Sequence, residues 1–331
     1  MNYSQEFLDL LFAADDTITH DNVLDFKSLP EGIPTANFTD FVYRNFNNPN
    51  NPIHIEPFEL FLIKNDDVNA FACRDNGLNI ITIYLSLFKA MEDRLVNEFP
   101  DLSNESSAIM KQIRPALIKG KEGITPDFLL YQNATLFTYY HELGHLNQMS
   151  HASYGALGRL VKERYCLVKG KEFDQVAHAM EIDADLFAAN FISGHIRQFW
   201  DELPSEHRSP DNLLNLIAIA CASIFVFFHV ISEGWDVMYF LDFDHPHPVI
   251  RISYIADSIV TMAAKDVAVS RENCIHLALV IATDLMKYGK VDGIPDYIKL
   301  YRDNQDSISR YIHDEMSPFM KALSFLIQNK A

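Results

Sequence analysis

The sequence predicts a mostly helical α+β fold with one small β-sheet and a long helical C-terminal region. Apolar and β-branched residues run at strand length between about residues 53 and 85, whereas apolar residues recur at helical spacing through most of the rest. The 331 residues are 48% hydrophobic and 22% charged, a composition that is typical of folded globular proteins. A chain of this length is near the size at which one core gives way to two domains.

Three short apolar runs define the predicted sheet. The first, IHIEPFELFLI, spans residues 53–63, and the second, NAFAC, spans 69–73. A third run, NIITIYL at 79–85, follows the turn-forming tripeptide Asp-Asn-Gly at 75–77. Two strand-like runs joined by Asn-Gly are typical of a β-hairpin, because both turn residues readily adopt positive φ. The sequence therefore predicts a hairpin within a small sheet at about 53–85.

Helical spacing predicts four main helices, and composition divides the chain into three parts. The helices are expected at 86–99, 133–148, 173–203 and 213–232, with further helices after residue 250. The stretch NFNNPNNP at 45–52 marks a boundary, and a polar segment at about 96–132 has the composition of an insertion. The predicted parts are an N-terminal segment (1–52), a main domain that contains the insertion (53–255), and a helical C-terminal region packed on it (256–331).

The charge, the cysteine pattern and the N-terminus indicate where the protein works and which ligands it does not bind. The formal net charge is −18, from 27 basic and 45 acidic residues, and such a surface repels the phosphate backbones of nucleic acids. The four cysteines are scattered and form no CxxC pair, which favours a reducing compartment over a disulfide framework. The acidic N-terminus lacks the basic region of a secretory signal. These features predict a cytoplasmic protein that does not bind nucleic acid.

One motif carries specific chemistry: His141-Glu142-Leu143-Gly144-His145 has the form HExxH. On a helix, positions i and i+4 share a face, so both imidazoles can bind one ion. Catalytic zinc takes three protein ligands and a water molecule whose pKa it lowers towards neutrality. Glu142 follows the first histidine, where it can accept the proton of that water. Two histidines with a carboxylate favour Zn²⁺ over magnesium or calcium.

The surroundings of the motif favour a buried site over an exposed helix. The preceding residues, LFTYY, are apolar, and burying two imidazoles and a carboxylate without a partner is costly. Gly144 inside a helix costs about 1 kcal/mol relative to alanine, unless another element packs closely against it. The motif is therefore expected to lie inside the protein, against a neighbouring element.

The third metal ligand has several candidates downstream. Glu181 is favoured, because it lies on the next long helix with Asp185 one turn later, in a position to orient a metal-bound histidine. His151 has the spacing of HExxHxxGxxH, but Gln148 replaces the glycine that lets the chain leave the helix sharply. A continuing helix would turn His151 away from the motif. The remaining candidates are Asp183, Asp185 and His178.

With HELGH and EIDAD in this order, the chain resembles the gluzincins, zinc peptidases with two histidine ligands and one glutamate. It is more specifically similar to the family of the HtpX and CAAX-prenyl endopeptidases, over about residues 53–95 and 133–255. The segments that carry this resemblance are NAFA (69–72) with the strand and helix after it, EIDADLFAA (181–189), and His-Pro followed by Arg-Ile (245–252). The long insertion and the lack of clear membrane helices depart from the family pattern.

The resemblance implies a zincin-like fold and assigns roles to particular residues. The zinc ligands that it implies are His141, His145 and Glu181, with Asp185 behind them. The residues that it places around the substrate, where they stabilise the oxyanion, are Asn69, His245 and Arg251, with His247 as a rival for the role of His245. A weaker resemblance, to phage-exclusion proteases, rests on HELGH, the acidic charge and the chain length alone.

The apolar run LLNLIAIACASIFVFFHVIS at 213–232 is long enough to span a membrane. A span there would place the HELGH motif and His245 on opposite sides of the membrane, where they could not form one site. The sequence therefore favours a buried core helix, with membrane association as the alternative.

Together these features predict a zinc-dependent endopeptidase that acts on a protein or peptide. The strand at 79–85 is expected at the sheet edge, where an extended substrate pairs by strand addition. A second hypothesis is a zinc-bound sensor or interaction protein, which is non-proteolytic or is triggered by a regulatory protein partner, with the segment 96–132 covering the cleft. A third is a hydrolase of non-peptide amides that uses the same zinc chemistry.

Overall fold

The computed structural model is mostly helical with one three-stranded mixed sheet, as the sequence predicts. It describes residues 3–25, 34–46, 55–95, 102–118, 125–150, 175–231, 237–241, 243, 245–289, 291 and 293–321. The helices are α1 (Gln5–Ala14), α2 (Pro34–Phe46), α3 (Leu85–Leu95), α4 (Asn104–Ile118), α5 (Pro126–Ser150), α6 (Gln175–Glu202), α7 (Pro210–Ile231), α8 (Pro248–Ala263), α9 (Arg271–Tyr288) and α10 (Tyr297–Arg310). A short 3₁₀ turn (Ser205–His207) precedes α7, and a π-helix (Tyr311–Met316) follows α10.

The sheet contains the hairpin that the Asn-Gly signal predicts. Its strands are β1 (Phe58–Ile63), β2 (Ala70–Asp75) and β3 (Leu78–Tyr84), in the order β1-β3-β2. β2 and β3 pair antiparallel, and the turn residues Asn76 and Gly77 have φ of 48° and 83°. Both values lie in the left-handed region that a two-residue type I′ turn requires. β3 pairs in parallel with β1 on its other side.

The prediction that the strand at 79–85 lies at the sheet edge is wrong, because β3 is the central strand. Its long apolar run fits a strand buried on both faces, and the hairpin signal alone does not reveal the parallel partner. The outer side of β1 is covered by two backbone hydrogen bonds, from Leu24 N to Leu62 O and from Lys64 N to Asn22 O. Among the described residues, no strand pairs with the outer side of β2.

α7 forms the centre of the core. Sixteen of its 22 residues are buried, and it packs against α3, α5, α8 and α9. Within the described ranges it is the one helix that is long and apolar enough to cross a membrane, and 78% of its most apolar window is buried in the protein. Helix-to-helix packing therefore covers most of the surface that made this run resemble a span.

α5 and α6 pack against each other at unusually close range. A Cβ atom added to Gly144 would lie 3.1 Å from Ala184 Cα and 3.3 Å from Ala184 Cβ. This contact explains why a glycine occupies the last third of α5, since a methyl group at this position would fit only if Ala184 moved away. The close approach brings the HELGH segment of α5 against the EIDAD segment of α6.

The parts of the chain share one large core, which runs from Leu24 to Met316. The predicted boundary at residue 255 falls inside α8. Much of the predicted insertion is helical: α4 packs on α9, α7 and α5, and the Ser106 hydroxyl donates to Asp284 Oδ2 over 2.6 Å. α5 begins at Pro126, earlier than the helix predicted at 133–148. α1 packs on β2 and β3, where a second, smaller apolar cluster lies.

Candidate metal centre

Three buried side chains from α5 and α6 converge on one point. His141 and His145 lie one turn apart on α5, and their Nε2 atoms are 3.1 Å apart. Glu181 of α6 completes the group: its Oε2 lies 3.5 Å from His141 Nε2, and its Oε1 lies 3.4 Å from His145 Nε2. Each of the three residues is at most 5% exposed. These three side chains could hold a metal ion.

The spacing of these atoms fits a tetrahedral ion. Zinc bonds of about 2.0–2.1 Å in tetrahedral geometry separate two ligand atoms by about 3.3–3.4 Å. The two Nε2 atoms are 3.1 Å apart, and each lies 3.4–3.5 Å from a different oxygen of Glu181. One ligand atom from each residue lies within 4.8 Å of the others, close enough for all three side chains to reach one ion. Glu181 Oε2 is buried and has no hydrogen-bond partner, although a buried polar atom normally has one. A cation bound by the three side chains would satisfy it.

His141 is backed by a buried ionic group. Its Nδ1 lies 2.9 Å from Asp185 Oδ1, one turn after Glu181 on α6. Arg251 of α8 donates two hydrogen bonds to the same carboxylate, over 2.8 and 2.7 Å, and the Tyr254 hydroxyl donates to Asp185 Oδ2. The Arg251 guanidinium lies 3.9 Å above the centre of the Phe228 ring. Asp185 thus contacts His141 in the position of a partner that orients a metal ligand.

His145 has a different partner, Gln148, which lies one turn later on α5. His145 Nδ1 and Gln148 Oε1 are 3.0 Å apart. The Gln148 amide nitrogen donates to Met180 O over 2.8 Å and to Asp183 Oδ2 over 2.9 Å, so its oxygen faces the histidine. The His145 Nδ1 must then carry a hydrogen, so this ring would bind a metal through Nε2.

Gln148 and Tyr254 are the two contacts that sequence reasoning missed. The sequence presented Gln148 only as the replacement of a glycine, and it presented Tyr254 only as part of an apolar helix. Each follows a site residue by three positions, His145 in one case and Arg251 in the other, and such positions are neighbours on a helix surface. That spacing is the signal that could have identified them.

The charges of the centre are strongly coupled. Burial alone would lower the pKa of His141, but the hydrogen bonds and negative charges of Asp185 and Glu181 raise it to about 10. Burial raises the pKa of Glu181, yet His245, His141 and His145 outweigh it and hold that pKa well below its usual value. Burial also raises the pKa of Asp185, but the positive charge of Arg251 outweighs it and holds that pKa below its usual value. Both carboxylates are therefore ionised at neutral pH, as metal ligation and orientation require.

Glu142 stands beside this group with one oxygen unpaired. It is 4% exposed, and its Oε2 has no hydrogen-bond partner. Burial raises its pKa, and the nearby His141 and His145 offset part of that rise. A carboxylate with a raised pKa and a free oxygen next to a metal position is suited to accept a proton.

The centre opens into a cavity of about 110 Å³. His141, Glu142 and Glu181 line it, together with Asn69 and His245. His245 Nε2 is 3.4 Å from Glu181 Oε1. The structure therefore brings Asn69 of the β1–β2 connection and His245 of the segment before α8 to the same cavity as the two histidines and the glutamate.

Arg251 also borders the cavity, but its Nε and Nη2 atoms donate hydrogen bonds to the Asp185 carboxylate. The Nη2 atom also lies 3.6 Å from Glu181 Oε2. The geometry therefore supports a role for Arg251 in holding Asp185 and Glu181 more directly than a role in binding an oxyanion.

His247, the rival of His245, lies in a different environment. It is fully buried, and its Nδ1 accepts a hydrogen bond from Val249 N over 3.1 Å at the start of α8. Burial lowers its pKa to about 3. His247 thus caps a helix and is not among the residues that line the cavity, whereas His245 is.

The other candidates for the third ligand have separate partners. His178 bonds to the Tyr311 hydroxyl and to Phe243 O. Asp183 is exposed and accepts from Gln148, and Asp185 pairs with Arg251. His151 lies outside the described residues. Of the candidates within the described ranges, Glu181 alone forms a group with both histidines.

The chain was compared with known proteins at three levels. No protein-family model, no curated protein and no solved structure matches it.

Proposed function

We propose that this protein is a zinc-dependent endopeptidase of the gluzincin type with a zincin-like catalytic region. The observation that carries the proposal is the convergence of His141 Nε2, His145 Nε2 and the Glu181 carboxylate, three buried groups close enough to bind one ion. Two histidines and a carboxylate are the donor set that suits zinc. Three protein ligands leave one position for water, as in catalytic sites.

Glu142 distinguishes a catalytic site from a structural one. Bound zinc supplies a water of lowered pKa and polarises the scissile carbonyl. Glu142 accepts the proton of that water and passes it to the leaving amine. A purely structural site, such as that of a zinc-bound sensor, would gain nothing from a buried carboxylate with an unpaired oxygen, since burying such a group is costly. This favours hydrolysis over the sensor hypothesis.

The substrate pairs with β2 and not with the strand at 79–85. Tyr84 N donates to Asn69 O, and hydrogen bonding alternates along an antiparallel pair. The N–H and C=O groups of Ala70 and Ala72 therefore point away from β3, and Ala70 lines the cavity. An extended peptide added to this edge would run directly past the proposed zinc position. A peptide is therefore a better fit than a compact non-peptide amide.

Asn69 and His245 are the proposed oxyanion-stabilising residues, because both line the cavity beside Glu142. Arg251 is proposed to act by positioning Asp185, which in turn orients His141. These assignments predict different kinetic effects. Loss of a group that binds the oxyanion lowers kcat by about 10²–10³, whereas loss of a positioning residue first weakens metal binding.

We further propose that α7 is a core helix and that the protein works in the cytoplasm without a membrane span. The burial of α7 by α3, α5, α8 and α9 supports this. After expression of the full chain, ultracentrifugation of a detergent-free lysate should leave the protein in the supernatant. Folded protein found only in the membrane pellet would contradict the proposal.

The first experiment combines metal content with turnover. Native mass spectrometry should find one zinc per chain in the wild type and in Glu142→Gln, and none in His141→Ala or Glu181→Ala. A mixture of denatured proteins should be cleaved by the wild type, and Glu142→Gln should lose this activity by at least about 10³-fold. Full activity in Glu142→Gln, or a wild type that takes up no metal from zinc solution, would refute the proposed function.

A further inference from the structure

The last turn of α7 contributes an apolar wall to the cavity. Phe227, Phe228 and Ile231 line it, and residues three and four positions apart share one face of a helix. Phe227 and Phe228 are at most 4% exposed, whereas Ile231 is partly exposed. The two phenylalanines of the wall are therefore held in the core, whereas Ile231 is more accessible to solvent.

This wall is continuous with the metal centre. Phe137 of α5 is stacked near His141, with ring centres 6.0 Å apart, and it meets Phe227 and Phe228 edge-on at 6.1 and 5.6 Å. Phe228 also lies beneath Arg251. A group bound against the wall would therefore lie close to the position where zinc and Glu142 act.

The size and the chemistry of the cavity limit what the wall can bind. A cavity needs about 10–15 Å³ to hold one water molecule, so a cavity of about 110 Å³ has room for a group of several heavy atoms, such as one large side chain. Other apolar groups that line the cavity include Val68 and Pro246. A charged or amide side chain placed against these groups and the wall would lose its water without gaining a hydrogen-bond partner.

We propose that Phe227, Phe228 and Ile231 form a specificity subsite, and that the substrate is an extended peptide with a bulky apolar side chain next to the scissile bond. This inference rests on the proposed peptidase function and adds the class of substrate residue to it. A side chain of the size of leucine, methionine or phenylalanine fills the space, whereas alanine leaves it empty and aspartate is excluded.

Ile231 is the residue with which to test the subsite. Phe227 and Phe228 lie in the core, so truncating them would affect the fold. Ile231 is the last residue of α7 and is partly exposed, so substitutions there are tolerated more readily. Ile231→Trp fills the space and Ile231→Ala enlarges it, and the two changes should move selectivity in opposite directions. Met262, which is 50% exposed on α8 and does not line the cavity, provides matched controls.

The experiment measures binding and cleavage separately. Peptide hydroxamates that carry alanine, leucine, phenylalanine or aspartate are titrated calorimetrically into the zinc-loaded protein, and quenched peptides with the same residues on either side of the bond are assayed for cleavage. Leucine should exceed alanine about 10- to 200-fold in both assays. Ile231→Trp should reduce this ratio at least tenfold through weaker leucine binding, and Ile231→Ala should shift preference towards phenylalanine. Met262→Trp and Met262→Ala should match the wild type.

The outcomes separate the subsite from the peptidase. Selective hydroxamate binding without cleavage of any peptide would uphold the subsite and overturn the proposed function. Cleavage with equal rates for alanine and leucine, or equal losses for all ligands in both Ile231 variants, would uphold the peptidase and overturn the subsite. If the zinc-loaded protein neither binds the hydroxamates nor cleaves the peptides, both proposals fail.

Discussion

His141 and His145 are chemically equivalent in the HELGH motif but are held by different partners. His141 faces Asp185, a buried carboxylate that Arg251 and Tyr254 also contact. His145 faces the neutral amide of Gln148. A carboxylate partner makes an imidazole a stronger donor to a metal than an amide partner does. The two histidines are therefore expected to differ in how strongly each would donate to a metal, although they share one helix face.

Gln148→Ala should weaken zinc binding without unfolding α5. The change removes the hydrogen bond that holds the His145 ring, and loss of such a partner typically costs 10- to 100-fold in metal affinity. Competition with a chromogenic chelator would measure the dissociation constant. Asn147→Ala, at the neighbouring and partly exposed position, is the control and should bind as the wild type does. Equal affinity in the two variants would show that Gln148 does not orient His145.

Part of the centre could be predicted from residue patterns and part could not. His141, Glu142 and His145 follow from a local spacing, and the order of HELGH and EIDAD led to Glu181. The partnership of Gln148 with His145 depends on the rotation of α6, which places Met180 O where it accepts from the amide. The spacing of three residues places Gln148 beside His145 on the helix surface, but no feature of the local sequence encodes the rotation of α6 that directs its amide oxygen towards the ring.

At the scale of elements, the contact between α5 and α6 sets the geometry of the centre. Glu181 meets both histidines because α6 approaches α5 closely enough for Ala184 to touch Gly144. The sequence predicted that another element packs closely against Gly144, and the structure places Ala184 of α6 there. The strand order was not predictable in the same way, because a parallel pairing such as β1 with β3 leaves no turn signal.

Gly144→Ala should push α6 away from α5, whereas Gly194→Ala should not. A methyl group at 144 would lie 3.1 Å from Ala184 Cα, but at position 194 it would meet nothing within 4 Å. We expect Gly144→Ala to lower the free energy of unfolding by about 1–3 kcal/mol and to weaken zinc binding. Gly194→Ala, in an exposed part of α6, should raise stability by up to about 1 kcal/mol. Urea titration of both variants, with and without zinc, measures these effects, and equal stabilities would contradict the packing explanation.

His247, which caps the N-terminus of α8, should make the free energy of unfolding fall in acid. The folded protein keeps His247 neutral down to about pH 3, because burial lowers its pKa, whereas the unfolded chain protonates it below about pH 6.5. Acid therefore favours the unfolded chain, and the loss reaches about 2 kcal/mol at pH 5. His247→Asn keeps a capping side chain without this titration.

Urea titrations of both proteins in chelator, at pH 7.5 and pH 5, would measure this effect. The wild type should lose about 2 kcal/mol more than His247→Asn between the two values. An identical loss in the two proteins would show that His247 is not the acid-sensitive group.

At the scale of the whole molecule, residues far apart in the chain meet in one cavity beside α7. Asn69, His141, Glu181 and His245 all line it, and α7 itself lies at the centre of the core. The sequence predicted that α7 is buried, because a span would have separated these residues. It did not predict the packing of α4 on α9, since a polar helix at the surface of a core resembles an insertion. None of the described residues at 102–118 lines the cavity, so they do not form the expected cover of the cleft.

Zinc should stabilise the whole fold, because its ligands join two core helices. A ligand that binds only the folded state at 100 to 1,000 times its dissociation constant adds about 3–4 kcal/mol, which corresponds to roughly 5–10 °C in a chain of this size. Differential scanning calorimetry should show this increase for the wild type and its reversal by chelator. His141→Ala should have the same melting temperature with and without zinc. A similar increase in that variant would place the stabilising ion elsewhere.

The ionic group behind His141 also makes the centre a site of exchange between protons and metal. Glu181 and Asp185 carry two buried negative charges, and Arg251 lies beside both carboxylates. The same carboxylates raise the pKa of His141 to about 10, so its imidazole holds a proton at neutral pH when no metal is bound. An ion that binds His141 must displace that proton. The proposed zinc binding should therefore release protons into the solution, and a falling pH should favour the protonated, metal-free centre.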